Sequence, residues 1–223
     1  MRPNIVEQVD TTFIIIVVIS AILLLLVSVV MIYFIIKYNK KKNPTPANIH
    51  GSTTLEILWT AIPVLLVMGM FFSGYESFKN MRSVPENAFI VKVTARMWQW
   101  SFEYPNGKKS DTLYVPLSKP IKAELTSNDV NHSFYIPAMR EKEDVIPGRT
   151  NYMWFQPTSI GSYYIECAEY CGLNHSRMLT KLVVMNDDDF EKWYSYVPPV
   201  IDTLAIKKDS ANILKKDTTA VNK

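Results

Sequence analysis

The chain contains little cysteine, histidine and glycine: two cysteines, three histidines and seven glycines among 223 residues. It lacks a glycine-rich phosphate loop, an arrangement of the Ser-His-Asp type and any internal repeat, so nothing indicates a P-loop nucleotide-binding, serine-hydrolase or solenoid class. Its formal net charge of +3 is too small to indicate nucleic acid as a partner. Because the chain has only two cysteines, any cysteine chemistry takes place where those two lie.

Two long apolar runs dominate the first third of the chain. Residues 13–36 are almost continuously Ile, Val, Leu and Met, long enough at ~1.5 Å per residue to cross a hydrocarbon core of ~30 Å. A second run covers about residues 57–75. A signal peptide is the alternative for the first run, but that run is too long, its flank carries Glu7 and Asp10, and no small-residue cleavage site follows. We therefore predict a transmembrane helical hairpin within residues 1–84.

The connection between the two runs is basic, with lysines at positions 37, 40, 41 and 42. Short lysine-rich loops stay on the cytoplasmic side, so both ends of the hairpin should lie outside. The chain after the hairpin is then extracytoplasmic, as in a two-helix protein of a bacterial-type inner (plasma) membrane. Glu56 lies at the cytoplasmic end of the second helix. It is either an ordinary interfacial carboxylate favoured by the helix dipole or the mark of a proton path.

Residues 85–197 have the pattern of a β-domain, with short runs rich in Val, Tyr, Phe and Trp separated by Pro and Gly. Seven strands are predicted, at residues 89–94, 98–104, 112–115, 121–126, 152–156, 162–166 and 179–185. Their number and spacing favour a β-sandwich or Greek-key barrel, so the fold class is a membrane-anchored all-β protein. Residues 198–223 form a polar, lysine-rich tail that we expect to be held against a partner.

One stretch of twelve residues is densest in soft metal ligands. Cys167, Cys171, His175 and Met178 follow the spacing C-x3-C-x3-H-x2-M, which favours copper over magnesium, calcium or manganese. A disulfide between the two cysteines is the simplest alternative in an exported domain. Zinc is another alternative, although it rarely recruits methionine. The stretch lies between the last two predicted strands, where a scaffold commonly presents functional residues.

A copper site here needs a second imidazole. His50 lies in the cytoplasmic connection, across the membrane from the thiols, which leaves His132 as the candidate, although a lone histidine is often structural. Two thiolates exceed the single thiolate of a blue-copper site, but two coppers can share both. Each metal would then take one histidine, and Met178 and a backbone carbonyl would fill the weaker positions.

Several segments resemble subunit II of the haem-copper cytochrome c oxidases. Residues 167–178 match the family pattern C-x-E-x-C-G-x-x-H-x-x-M, residues 129–133 match D-V-x-H-S, residues 142–149 match K-x-D-x-x-P-G-R, and residues 55–60 match the start of the family's second helix. The resemblance extends from the first helix to about residue 197. It implies a cupredoxin-like domain that carries the binuclear copper centre CuA. The implied copper ligands are His132, Cys167, the backbone carbonyl of Glu169, Cys171, His175 and Met178.

The resemblance also implies roles for three further groups. The Glu169 carboxylate would help to hold a magnesium ion shared with subunit I, Glu56 would stand at the entrance of a proton channel, and Trp98 would be the residue through which an electron enters. The chain would be the electron-accepting subunit of an oxidoreductase and translocase, in which subunit I reduces oxygen to water and protons are translocated. Its partners would be subunit I, other oxidase subunits and a separate donor, cytochrome c or an equivalent, since no C-x-x-C-H haem motif is present.

Two rival functions share parts of this pattern. The quinol-oxidase branch of the same fold is disfavoured because its members lack the copper ligands. A membrane-tethered copper-binding or delivery protein could also use Cys, His and Met, but it would gain little from a closed set of two thiolates and two imidazoles. For the donor, we predict electrostatic steering of a basic cytochrome by acidic residues. These are Glu103, Glu141, Glu143, Asp144 and Glu166.

Overall fold

Two helices of membrane-spanning length begin the computed structural model, which describes residues 5–45, 48 and 50–196. Helix α1 is Ile5–Lys37 and helix α2 is Thr53–Arg82. Both extend beyond the predicted 13–36 and 57–75. At ~1.5 Å per residue each helix exceeds a ~30 Å hydrocarbon core, so their ends project beyond it. Their apolar side chains face outward, as expected for helices that lipid or other membrane helices surround.

Ten strands follow in the described part of the chain. They are β1 (Phe89–Arg96), β2 (Gln99–Glu103), β3 (Lys109–Ser110), β4 (Leu113–Pro116), β5 (Ile121–Ser127), β6 (His132–Ile136), β7 (Glu141–Val145), β8 (Asn151–Phe155), β9 (Gly161–Cys167) and β10 (Leu179–Met185). One sheet has the order β3-β2-β1-β5-β8 and the other β4-β10-β9-β6-β7. The pairs β1–β5 and β4–β10 are parallel, and the other pairs are antiparallel.

The two sheets stack on an apolar core. Strand β5 alternates strictly between buried and half-buried residues, which is the period of two expected of a strand with one face inward. The Phe134 ring lies 5.1 Å from the Trp100 ring and 6.2 Å from the Phe102 ring, measured between centroids. Because Phe134 belongs to one sheet and the two partners to the other, these rings join the layers, and the predicted β-sandwich is confirmed.

Three strands were not predicted. Strand β6 is central, between β9 and β7, and four of its five residues are buried, so it lacks the alternation that identifies a half-buried strand. Strand β7 reads Glu-Lys-Glu-Asp-Val and has the composition of a loop. It lies at the sheet edge, where charged residues are tolerated and discourage pairing with other chains. Strand β3 has only two residues.

The outer ends of both helices contact the β-domain. Arg82 at the end of α2 donates to Glu143 at 2.8 Å, and Arg140 donates to Asp10 of α1 at 2.9 Å. The buried Trp154 indole donates to the backbone carbonyl of Asn80 at 3.2 Å, which gives a partner to one of the last carbonyls of α2. The domain is therefore attached to both helices.

A short helix α3, Asp187–Ser195, follows β10. The expectation that the tail 198–223 is held against a partner lies outside the described residues.

Candidate metal centre

The two cysteines lie together between β9 and β10. Cys167 is the last residue of β9, and Cys171 follows in the connection to β10. Their sulfurs are 3.7 Å apart, well beyond the ~2.05 Å of a disulfide bond, and both cysteines are buried and unbonded. The disulfide alternative is therefore absent from this structure, and two thiols face each other across a space that a metal could bridge.

Each thiol has one imidazole beside it. The Nδ1 atom of His132 lies 3.9 Å from the Cys167 sulfur, and Nδ1 of His175 lies 3.6 Å from the Cys171 sulfur. His132 begins strand β6 and is fully buried, whereas His175 begins a short 3-10 helix, His175–Arg177. The two imidazoles, which are far apart in the sequence, thus meet the thiols from two different elements.

Two weaker donors complete the cluster. The thioether sulfur of Met178 lies 3.8 Å from the Cys171 sulfur, and the backbone carbonyl oxygen of Glu169 lies 3.3 Å from the Cys167 sulfur. Met178 is fully buried. The backbone of Glu169 faces the thiols while its side chain is exposed. All six predicted donors therefore converge on one site.

Asp129 orients the buried imidazole. Its Oδ1 accepts a hydrogen bond from Nε2 of His132 at 2.8 Å, which leaves Nδ1 as the lone-pair atom that faces Cys167. The carboxylate also accepts from the backbone N–H of Met97 at 2.6 Å and of Val130 at 2.7 Å. Burial would raise the pKa of Asp129, but the hydrogen bonds from Met97, His132 and Val130 lower it below its ordinary value, so the group is a carboxylate.

Two tryptophans hold the ligand loop in place. The Trp98 indole N–H donates to the backbone carbonyl of Cys171 at 3.2 Å, and the Trp100 indole N–H donates to that of Met178 at 3.4 Å. Trp100 lies in β2 of the opposite sheet, so the loop is fixed by both layers. Gly172 has φ +114°, and a Cβ there would lie 3.4 Å from the Trp98 ring, so a residue with a side chain would be strained at this position.

Burial raises the pKa of the Cys171 thiol above its ordinary value, and the hydrogen bond and charge of the neighbouring Cys167 thiol act in the same direction. The metal-binding form of cysteine is the thiolate. A metal that enters this site therefore displaces protons from the thiols.

The remaining predicted residues lie away from the cluster. Glu56 is exposed on the first turn of α2, and His50 is exposed in the connection before it. Of the acidic residues expected to steer a basic donor, Glu141 is buried, so its inclusion is wrong. Glu143 and Glu103 are half-buried in ion pairs with Arg82 and Lys109, Asp144 is exposed and Glu166 is half-buried, and steering by these four stays a prediction.

Sequence comparison identifies the family. The model described as "Cytochrome C oxidase subunit II, transmembrane domain" matches residues 3–78, and the one described as "Cytochrome C oxidase subunit II, periplasmic domain" matches residues 108–186. Together they cover more than half of the chain. It belongs to the cytochrome c oxidase subunit II family. The family's transmembrane and periplasmic domains correspond to the hairpin and the β-domain, which confirms the predicted membrane location and side.

Individual relatives agree with this family membership. The chain is 36% identical over 169 residues to cytochrome c oxidase subunit 2 of Alkalihalophilus pseudofirmus, covering 71% of this chain and 49% of that protein. It is 29% identical over 181 residues to a probable cytochrome c oxidase subunit 2 of Rickettsia prowazekii, covering 71% and 58%. The chain thus spans about half to three fifths of these family members.

A solved structure of a family member is also similar. The periplasmic domain of subunit II of cytochrome oxidase (CoxB) of Bradyrhizobium japonicum is 34% identical, with a TM-score of 0.47 over 50% of this chain and 94% of that one.

The sequence did not reveal the roles of two residues that hold the metal ligands of this chain in place, Asp129 and Trp100. Asp129 belongs to the matched family pattern, and an aspartate three residues before a candidate histidine ligand is a signal for an orienting carboxylate. Trp100 lies in a predicted strand, and only the fold shows that its indole reaches the Met178 carbonyl.

Proposed function

We propose that the chain is the electron-accepting subunit of a cytochrome c oxidase. The observation that carries the proposal is the convergence of two thiols, two imidazoles, one thioether and one carbonyl at the end of β9. We assign copper binding to His132, Cys167, Glu169 (through its backbone carbonyl), Cys171, His175 and Met178.

The donor set fits two soft metals better than one zinc ion. The ligand atoms of His132, Cys167 and Cys171 all lie within 4.8 Å of one another, a group that does not include His175. A single tetrahedral zinc ion with two thiolates and two imidazoles needs all four ligand atoms within about 4 Å of one another. Met178 adds a thioether that zinc seldom uses. The arrangement therefore supports a binuclear copper site, which the two thiolates, the two imidazoles, Met178 and the Glu169 carbonyl would hold together.

The six donors would hold such a copper pair, which would supply one-electron redox chemistry shared between the two metals. The chain's own residues prepare for this exchange. Asp129 fixes the tautomer of His132, and Trp100 ties the ligand loop to the opposite sheet. His132 lies in β6, His175 lies in the 3-10 helix, and Met178 directly precedes β10 with its carbonyl bonded to Trp100. This anchoring would limit movement of the donor atoms between the two charge states, which favours rapid transfer.

Trp98 is the residue we propose for the electron's entrance. Its ring is partly exposed, and its N–H donates to the carbonyl of Cys171, so one side chain reaches from the surface to the backbone of a thiol ligand.

Two further roles extend the proposal to subunit I. The exposed Glu169 carboxylate would hold a magnesium ion shared with that subunit, since magnesium prefers carboxylate oxygen. Glu56, exposed on the cytoplasmic first turn of α2, would stand at the entrance of a proton channel. The whole enzyme would reduce oxygen to water in subunit I with electrons from cytochrome c or an equivalent donor.

Electron paramagnetic resonance of the purified, copper-loaded chain tests the proposal, together with the copper-to-protein ratio. We expect two coppers per chain and a hyperfine pattern from one electron shared between them. A His175→Ala variant should lose that pattern, whereas His50→Ala, which changes a histidine outside the site, should keep it. One copper per chain with the spectrum of an isolated Cu(II) would contradict the electron-accepting role and would favour a copper-delivery protein.

A further inference from the structure

A groove lies on the outer surface of the helical hairpin, in its cytoplasmic half. It has a volume of about 1030 Å³ and is lined by one face of α1 and its end, between residues 26 and 38, with Trp59 of α2 as the opposite wall. Val30, Phe34 and Tyr38 follow that face at steps of four residues and are 41%, 49% and 53% exposed. Apart from the polar atoms of Tyr38 and Trp59 the lining side chains are apolar. We call this feature the α1 groove.

The α1 groove is about as long as one leaflet of a bilayer. Positions 26 and 38 are twelve residues apart, which is ~18 Å at ~1.5 Å per residue. Half of a hydrocarbon core of ~30 Å is ~15 Å. A transmembrane helix of a partner subunit would need a track along the whole core, whereas an acyl chain needs only this half. The length therefore favours a lipid chain of the cytoplasmic leaflet as the occupant.

Four lysines lie at the cytoplasmic end of the α1 groove, and all four are exposed. The Lys37 ammonium is 5.4 Å from the centroid of the Tyr38 ring, which lines the groove. The other three, at positions 40–42, lie in a turn that is held against the end of α1. The Asn43 side chain donates to the Lys37 carbonyl at 2.6 Å, and the N–H of residue 42 donates to the Asn39 carbonyl at 2.9 Å.

These lysines have no carboxylate partner in the part of the chain that the structure describes, where no ion pair includes them. Between positions 37 and 60 the sequence has one acidic residue, Glu56. Its Oε1 lies 3.5 Å from the position of a Cβ on Gly51, in the other arm of the connection. The negative end of the α1 dipole amounts to about half a charge, which four ammonium groups exceed. The end of the groove therefore favours an anion.

We propose that the α1 groove and the four lysines form a binding site for one anionic phospholipid of the cytoplasmic leaflet. One acyl chain would lie along α1 from Tyr38 toward Leu26, and Lys37 and the lysines at 40–42 would bind the phosphate. Lysine binds phosphate as a compact point charge, and basic clusters at the cytoplasmic ends of transmembrane helices attract anionic lipids. The inference rests on the hairpin and not on the copper chemistry of the β-domain, so each can fail without the other.

The test uses the purified full chain in phosphatidylcholine bilayers that contain increasing fractions of a phospholipid brominated on its acyl chains. Bromine quenches tryptophan fluorescence on contact, and Trp59 is the single tryptophan among residues 1–84. The other tryptophans, in the β-domain and α3, give a constant background. We expect brominated phosphatidylglycerol to reach half-quenching at about a tenfold lower fraction than brominated phosphatidylcholine, because each lysine near the surface contributes roughly a fivefold preference.

Two pairs of variants separate the charge from the groove. Lys40→Gln, Lys41→Gln and Lys42→Gln together should bring the half-quenching fractions of the two lipids within about twofold of each other, whereas arginine at the same three positions should keep the preference. Val30→Phe fills the groove and should raise the half-quenching fraction of phosphatidylglycerol about fivefold, the effect of one buried methylene group. Val29→Phe is its control, because Val29 is 57% exposed and does not line the groove.

Three results in the bilayers would overturn the inference: equal quenching of the wild type by both lipids, an unchanged preference in the glutamine variant, or an unchanged half-quenching fraction in Val30→Phe. Native mass spectrometry of the assembled oxidase gives a second readout. We expect one phosphatidylglycerol per copy of this chain in the wild type and its loss in the glutamine variant. A wild-type complex without that lipid would show that a partner subunit covers the groove, which would also overturn the inference.

Discussion

Glu141 is a buried carboxyl group at the start of β7, and replacing it by glutamine should change how stability depends on pH. Its side chain is 3% exposed, and its Oε1 has no hydrogen-bond partner among the described residues. Burial is the largest cause and the neighbouring Glu143 charge adds to it, and against the opposing charge of Arg82 they raise the pKa of Glu141 to about 8. At neutral pH the folded chain therefore holds a proton on Glu141.

The pKa of Glu141 differs between the folded and unfolded chain, and this difference sets the direction in which the free energy of unfolding changes with pH. The pKa of Glu141 is about 8 in the folded chain and 4.5 as an ordinary glutamate, so the unfolded chain binds fewer protons between these values. The contribution of Glu141 to the free energy of unfolding is then greatest below about pH 4.5 and falls as pH rises through about 8. At about 1.4 kcal/mol per pH unit, the loss is about 3 kcal/mol by pH 7 and about 5 kcal/mol when the titration is complete.

Glu141→Gln keeps the size of the side chain and removes its titration. The difference in unfolding free energy between the variant and the wild type should therefore move in favour of the variant by about 1.4 kcal/mol per unit between about pH 5 and 8. The measurement is denaturant unfolding of the copper-free full chain in detergent micelles, followed by tryptophan fluorescence, since Trp100 and Trp154 are buried. Other groups titrate alike in both proteins and cancel in the difference.

Glu86→Gln is the control, because Glu86 is exposed in the connection before β1. Its stability should follow the wild type at every pH. Infrared spectra at about pH 6 give a second readout, in which the carbonyl stretch of a protonated carboxyl should be present in the wild type and lost in Glu141→Gln. Parallel stability curves for the wild type and Glu141→Gln would show that Glu141 is ionised, and the reasoning from its burial would be refuted.

Three further predictions concern the metal centre. Cys171→Ser should abolish the shared-electron copper spectrum, because it removes one of the two bridging thiols; a normal spectrum would contradict the assignment of that ligand. Asp129→Asn should weaken copper binding by roughly 10- to 100-fold, as measured by competition with a chelator. The control Asn128→Asp should leave the copper affinity unchanged. If Asp129→Asn binds copper as tightly as the wild type, Asp129 does not orient His132. Trp98→Leu should slow electron transfer from cytochrome c by roughly tenfold or more with copper still bound, as expected for a central aromatic contact; unchanged turnover would remove Trp98 from the path.

The sequence predicted the parts of the site that lie close together in the chain. The spacing from Cys167 to Met178 indicated a copper loop, and the membrane topology singled out His132. The sandwich was recognisable because strands such as β5 alternate between core and surface. The order of the strands in the two sheets could not be predicted, because it depends on contacts between segments far apart in the chain.

The features that the sequence did not predict have physical explanations. The charged run of β7 forms an edge strand only because β6 offers it a partner, and local propensity cannot register that pairing. Glu141 belongs to the same run, and nothing in its composition distinguishes the one carboxyl that the fold buries. Asp129 and Trp100 act through hydrogen bonds to His132 and Met178, which exist only once the sheets have stacked.

The attachment of the β-domain to the hairpin has a consequence for the electron's path. One ion pair joins the domain to α2 and another joins it to α1. Their side chains are partly exposed to solvent, so each ion pair contributes at most about 1 kcal/mol. Because the two ion pairs lie on different helices, together they restrain tilting of the domain on the hairpin more than either would alone. Under the proposed function, this restraint would also limit the variation in distance between the cysteine cluster and the membrane-embedded partner subunit.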